Sequence, residues 1–244
     1  MISLVYADLY RIFRKKSFRV IVITFMLLSF FSNLVSSVRH EINGASFLDA
    51  LNNYTTKGYL LLLISIPIFL GVYSDEVSSH SMQCIIGRGL TRKKILWAKL
   101  IDCVLITTIV FVIYMGLQAL ILPSSGVSFS SKQMHAYIAY GLICILKIVG
   151  ASTFSMMLLF ITNAMPVGII GVIFFTTLSP NLVRLLYSFE IKAVDYSYDM
   201  LLFKAMNKLV AGAFAWELIP CVVLYIVGAW LITYLFFRRK EFDF

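Results

Sequence analysis

The chain has 244 residues, of which 60% are hydrophobic and only 14% charged, against roughly 45–50% and 25% in soluble domains. A soluble core of this length cannot absorb that much apolar side chain, so the surplus has to face lipid. The net charge of +9 sits in short clusters beside apolar runs, the pattern of membrane-flanking loops and not of a stripe that tracks nucleic-acid phosphates. Cys84, Cys103, Cys144 and Cys221 show no CxxC or ligand spacing, and the three histidines fall in different loops. The cysteine pattern implies no disulfide framework, and the scattered histidines imply no metal site.

Residues 1–17 form an amphipathic helix. Val5, Leu9, Ile12 and Phe13 recur at helical spacing on one face, while Asp8, Arg11 and Lys15 line the other; such a helix lies in the membrane interface. A first span runs over about 18–37. A signal peptide is the competing reading, but the basic region before it is too long and too structured. The polar stretch 39–57 overlaps a second span, about 51–73, bent at Pro67. Residues 74–94 are polar and basic. Spans three to six follow at about 95–122, 136–162, 165–179 and 217–237, with a tight Asn163-Ala164-Met165-Pro166 turn between the fourth and fifth. Residues 180–216 carry an apolar stripe through Leu201, Leu202, Ala205 and Leu209, interrupted by Lys204 and Lys208. That pattern suits an interfacial or re-entrant helix and does not suit a span.

The expected architecture is therefore an all-α integral membrane domain of six spans. Orientation follows from charge. The N-terminus, the 74–99 segment and the tail together hold thirteen Lys and Arg, against seven on the opposite side. The positive-inside rule then places both termini in the cytoplasm.

No GxxxxGK[ST] sequence occurs: Gly87 and Gly89 are followed by Leu-Thr-Arg, which cannot cradle phosphate. Any energy from ATP has to come from another polypeptide, and no cofactor is expected here. A membrane-embedded enzyme needs clustered catalytic groups, whereas the apolar runs offer only Asp102, Lys147 and the polar Asn33. Asp102 follows Lys99 by one helical turn, as an i,i+3 pair at the interface. Lys147 lies near the middle of span four, where an exposed ammonium costs roughly 2.5–3.5 kcal/mol. It must face protein or water, and both a structural role and a place on a transport path are open to it. Gly150, Ala151, Ser152 and Ser155 on the same helix are small enough for close helix packing.

The segment 75–101 is the most distinctive. After Asp75 and Glu76, the residues Met82, Ile85, Ile86 and Leu90 make an apolar stripe on a short helix over about 76–88, followed at once by Arg88, Arg92, Lys93 and Lys94. An ordinary basic loop explains the charges but not the stripe. An acidic residue, a short helix and then Gly89-Leu90-Thr91-Arg92-Lys93-Lys94-Ile95-Leu96-Trp97-Ala98-Lys99-Leu100 resembles the permeases of the type-2 ABC transporter family, small bacterial exporters. The likeness covers most of the chain: an N-terminal elbow helix, six spans, a cytoplasmic coupling helix between spans two and three, and broken helices before span six. Ser79-His80-Ser81-Met82 departs from the family's Gly-Thr pair. The resemblance implies a permease that pairs with an identical or similar second permease and with two copies of a separate ABC ATPase, which would bind the ATP and Mg. It implies export of an amphipathic peptide, antibiotic or lipid, as in lantibiotic or bacteriocin immunity, from the bacterial cytoplasmic membrane. Asp75, Glu76, Met82, Ile85, Ile86, Arg88 and Arg92 are then the expected ATPase-coupling residues, and Lys147 and Asn33 the transport-path candidates. The alternative is a non-transporting immunity or scaffold protein of the membrane.

Overall fold

Helices and closed barrels both satisfy the backbone internally in lipid, and long continuous apolar runs, without the alternation of barrel strands, favour helices. The computed structural model describes residues 2–39, 60–78, 86–87, 89–119, 131–178 and 218–239. Among these the protein is all-helical, with no strand. The helices are α1 (Ile2–Arg14), α2 (Lys16–Arg39), α3 (Leu60–Ser78), α4 (Arg92–Ala119), α5 (Ser131–Thr162), α6 (Met165–Ile173) and α7 (Leu218–Arg239). A π-helical turn, Phe174–Leu178, prolongs α6.

The breaks have local causes. Lys15 interrupts the helix between α1 and α2, with its N–H donating to the Ile12 carbonyl at 3.1 Å. The α5–α6 turn needs a left-handed residue, and Asn163 supplies it at φ 56°, a conformation asparagine tolerates better than most side chains. Pro166 sits in the first turn of α6, where its missing N–H costs no hydrogen bond.

The helices run alternately away from and back toward the end where α1 lies. The Cβ position of Gly71 on α3 is 3.3 Å from Ile12 of α1, and Lys99 near the start of α4 bonds Asp8 of α1. Cys103 of α4 neighbours Ser152 of α5, so this pair is antiparallel. Phe160 of α5 meets Phe237 of α7 edge-on, with ring centroids 5.0 Å apart, which returns α7 to the α1 end. Of the most apolar stretch, 67% is buried in α5 but 39% in α4; α5 is the central helix, packed on α4, α6 and α7.

Close approach around α5 depends on residues without side chains. A Cβ on Gly150 would collide with the Tyr225 hydroxyl of α7. One on Gly168 of α6 would lie 2.7 Å from Phe69 of α3, and one on Gly171 would lie 2.9 Å from Leu158 of α5. Small residues at crossings let apolar helices reach van der Waals contact where no water-driven collapse helps.

Arg92–Ala119 and the Tyr137–Thr162 part of α5 are long and apolar enough to cross a membrane. Apolar side chains also cover the outside: Val20, Ile23 and Leu28 on α2, Val112 and Ile113 on α4, and Leu224, Leu231 and Leu235 on α7 are exposed. Faces of this kind on three helices are what a membrane-associated chain shows and a soluble monomer does not. Buried hydroxyls on Thr153, Ser155, Thr176 and Thr233 each donate to the carbonyl four residues back, at 2.7–2.8 Å, satisfying themselves without water.

Three boundaries differ from expectation. Helix α3 continues through Asp75 and Glu76 to Ser78, past the end at 73 that hydropathy marks, because its backbone hydrogen bonds do not depend on the side chains being apolar. Helix α4 begins at Arg92 instead of 95, and α5 at Ser131 instead of 136. The first part of the second span and the 180–216 stripe lie outside the described residues.

Candidate functional site

Buried charge gathers at the α1 end of the bundle. Asp8 faces inward, 6% exposed, and not outward with the polar face of α1 as the amphipathic pattern led one to expect. The Lys99 ammonium of α4 donates to Asp8 Oδ2 at 2.6 Å, and Arg11 reaches the other oxygen at 3.2 Å. Asp102, one turn along α4, holds its Oδ2 4.0 Å from the same ammonium. Lys99 and Asp102 are fully buried, so the expected interfacial pair is a buried one and its nearer partner is on another helix. Neutralising charge in place is the condition for leaving it out of water. This cluster, with buried Ile12, fixes α1 against the bundle.

A polar seam runs from there between α4 and α5. Cys103 neighbours Thr107 and Ser152, and all three are buried. Further along, Tyr114 neighbours Gln118, Tyr137 and Cys144, and the Tyr137 hydroxyl donates to the Met115 carbonyl at 2.7 Å. Lys147 lies on this seam beside Cys144. It is 2% exposed, so its ammonium faces the interior of the bundle and not the apolar outside.

The third feature is the turn before α4. Ile86 packs against the core, and the Gly89 N–H donates to the Ile86 carbonyl at 2.9 Å. Gly89 has φ +84°, a conformation any side chain would strain. Arg92, the first residue of α4, donates from Nη1 to the carbonyls of Phe237 at 2.8 Å and Arg238 at 2.6 Å. Its guanidinium also lies over the Phe237 ring, 5.7 Å from the centroid. A cation on the orphan carbonyls of a helix C-terminus satisfies them and opposes the dipole. The turn, α4 and α7 are thus fastened together, while Lys93 and Lys94 stay exposed. Trp97 against Trp230, at 4.7 Å, and Trp230 stacked on Tyr234 extend the same junction.

A family model described as a protein of unknown function, DUF2705, matches residues 17–242. The chain belongs to the DUF2705 family. No curated protein matches it.

In this DUF2705 protein the expected coupling residues fall into two groups. Asp75 and Glu76 are on the last turns of α3, and Ile86 and Arg92 frame the turn before α4. Met82, Ile85 and Arg88 lie outside the described residues. Lys147 is brought to the seam, and Asn33 is a residue of α2. Sequence reasoning missed Asp8 as an inward group and Arg92 as a cap for α7. Asp8 is the one acid in the first 39 residues, and that isolation was the available signal. Arg92 gave none, because its partners are 145 and 146 positions away.

Proposed function

We propose that this chain is the permease subunit of an ATP-driven exporter of the type-2 ABC class. In this reading α2 to α7 cross the cytoplasmic membrane as six spans, α1 lies in the interface, and both ends face the cytoplasm. The observation that carries it is the junction at the start of α4. The turn before α4 is tied by Ile86 to the core, Arg92 ties the start of α4 to the end of α7, and Lys93 and Lys94 beside it are exposed. A force applied there by a separate ATPase, which would bind the ATP and Mg, reaches two helices at once. From α7 it passes to α5 through the Tyr225–Gly150 contact and so to the seam that carries Lys147. Two packings of these helices, selected by nucleotide state, would expose the seam alternately to the two sides.

In the packing that opens the seam, Lys147 would meet an amphipathic substrate, such as a peptide, antibiotic or lipid, and a second permease would complete the path. A buried ionisable group at that depth is the expected mark of a transport path. The test is affinity purification of the full chain from its native membrane in mild detergent. Recovery of a Walker-motif ATPase in comparable amount supports the permease reading. Recovery of the chain alone, with undiminished protection of cells against its substrate when the ATPase is deleted, favours a non-transporting immunity or scaffold role.

A further inference from the structure

We infer that the corner between α1 and α2 is a binding site for the headgroup of an anionic phospholipid, formed by Arg14, Lys16 and Arg19. The inference rests on the reading of α1 as a helix lying in the membrane interface. All three side chains are exposed. Arg14 lies over the Tyr10 ring, 5.0 Å from its centroid, and Arg19 Nη2 reaches the Arg14 carbonyl at 3.5 Å. The Arg19 guanidinium is thus tied to the backbone at the corner, and that of Arg14 lies back along α1 over Tyr10. The first 39 residues contain no acid except Asp8, and Asp8 is turned inward onto Lys99 and Arg11. Local sequence thus gives the corner no counter-charge, and the fold turns away the one carboxylate near it in sequence.

Position selects the partner. Tyr6 and Tyr10 are exposed on α1, at 73% and 55%, and the apolar outside of α2 begins at Val20, the residue after Arg19. Cations followed at once by bare aliphatic side chains is the order in which a helix entering the membrane meets the phosphates and then the acyl chains, and exposed tyrosines on α1 suit the headgroup level beside them. An acidic protein would match the charge but leave Val20, Ile21 and Ile23 uncovered beside it. A phosphoglycerol lipid matches both, with its phosphate on the cations and its chains along α2. Each cation near such a surface strengthens attachment roughly fivefold.

The experiment is native mass spectrometry of the full-length protein released from detergent micelles doped with POPG or POPC. The wild type is expected to retain discrete POPG molecules and few of POPC. The triple variant Arg14→Gln, Lys16→Gln, Arg19→Gln is expected to lose one POPG, with affinity down on the order of a hundredfold and an unchanged melting temperature. The charge-keeping variant Arg14→Lys, Lys16→Arg, Arg19→Lys should retain it, as should Arg238→Gln, Arg239→Gln at the other basic cluster. Undiminished POPG on the triple glutamine variant, or equal retention of POPG and POPC by a protein that still requires detergent, overturns the inference alone. Displacement of POPG by millimolar inorganic phosphate also overturns it, since the site then takes free phosphate. A protein that keeps no lipid and stays soluble without detergent overturns both this inference and the membrane reading.

Discussion

Replacing Lys99 by methionine keeps the length of a fully buried side chain and removes its charge. The consequence follows from geometry. Asp8 loses a partner at 2.6 Å and keeps Arg11 at 3.2 Å, whereas Asp102 loses the 4.0 Å contact with the same ammonium. Removing one member of a buried ion pair costs about 3–5 kcal/mol, because the other is left in a medium that solvates it poorly. Asp8→Asn is predicted to cost less. Lys99 keeps Asp102, and attraction that falls as 1/r retains about two-thirds of its strength between 2.6 and 4.0 Å. For a chain of this size about 1 kcal/mol corresponds to roughly 2–4 °C of melting temperature. Lys99→Met should therefore melt about 10 °C below wild type in detergent, Asp8→Asn should melt in between, and the double variant should lose less than the two losses added. Equal melting temperatures for Lys99→Met and wild type would refute the claim that this cluster holds α1. So would a larger loss for Asp8→Asn than for Lys99→Met.

Gly150→Ala drives a methyl into the Tyr225 ring and is predicted to cost about 1–3 kcal/mol; Tyr225→Leu in the same chain should restore most of it in thermal melts. Arg92→Ala removes a charged donor from two carbonyls, a loss of about 1.5–3 kcal/mol, read as faster amide exchange in the 230–238 turns of α7 with little change around Tyr140. Lys147→Met distinguishes the two roles of that lysine: a transport role leaves the melting temperature unchanged or higher and alters which substrates the chain protects cells against, and a drop of several degrees assigns it to structure.

Helix number and order among the described residues were legible because hydropathy and local chemistry agree. Asn163 and Pro166 mark the α5–α6 turn by their own backbone preferences, and Gly150, Ser152 and Ser155 announce a close crossing by size alone. Asp8 was misread for a physical reason: a periodicity argument assigns every charge to the wet face, and only a lysine 91 positions away makes the inward placement affordable. The same limit hid Tyr225 as the partner of Gly150 and the carbonyls of Phe237 and Arg238 as the partners of Arg92. The 76–88 stripe suggests a new helix opening at Glu76, yet α3 runs on through Glu76 to Ser78, because polarity marks where an apolar layer ends and not where a helix does. Pairings made across the bundle leave no trace in spacing along the chain.

ATP hydrolysis by the co-purified ATPase, reconstituted in liposomes with and without this chain, tests the permease reading most directly. Lys93 and Lys94 are exposed, so Lys93→Glu, Lys94→Glu changes the docking surface and spares the fold. The account predicts that the wild-type chain stimulates hydrolysis severalfold and that the charge-reversed chain, melting normally, does not. Stimulation of equal size by both chains, or none by the wild type, would contradict it.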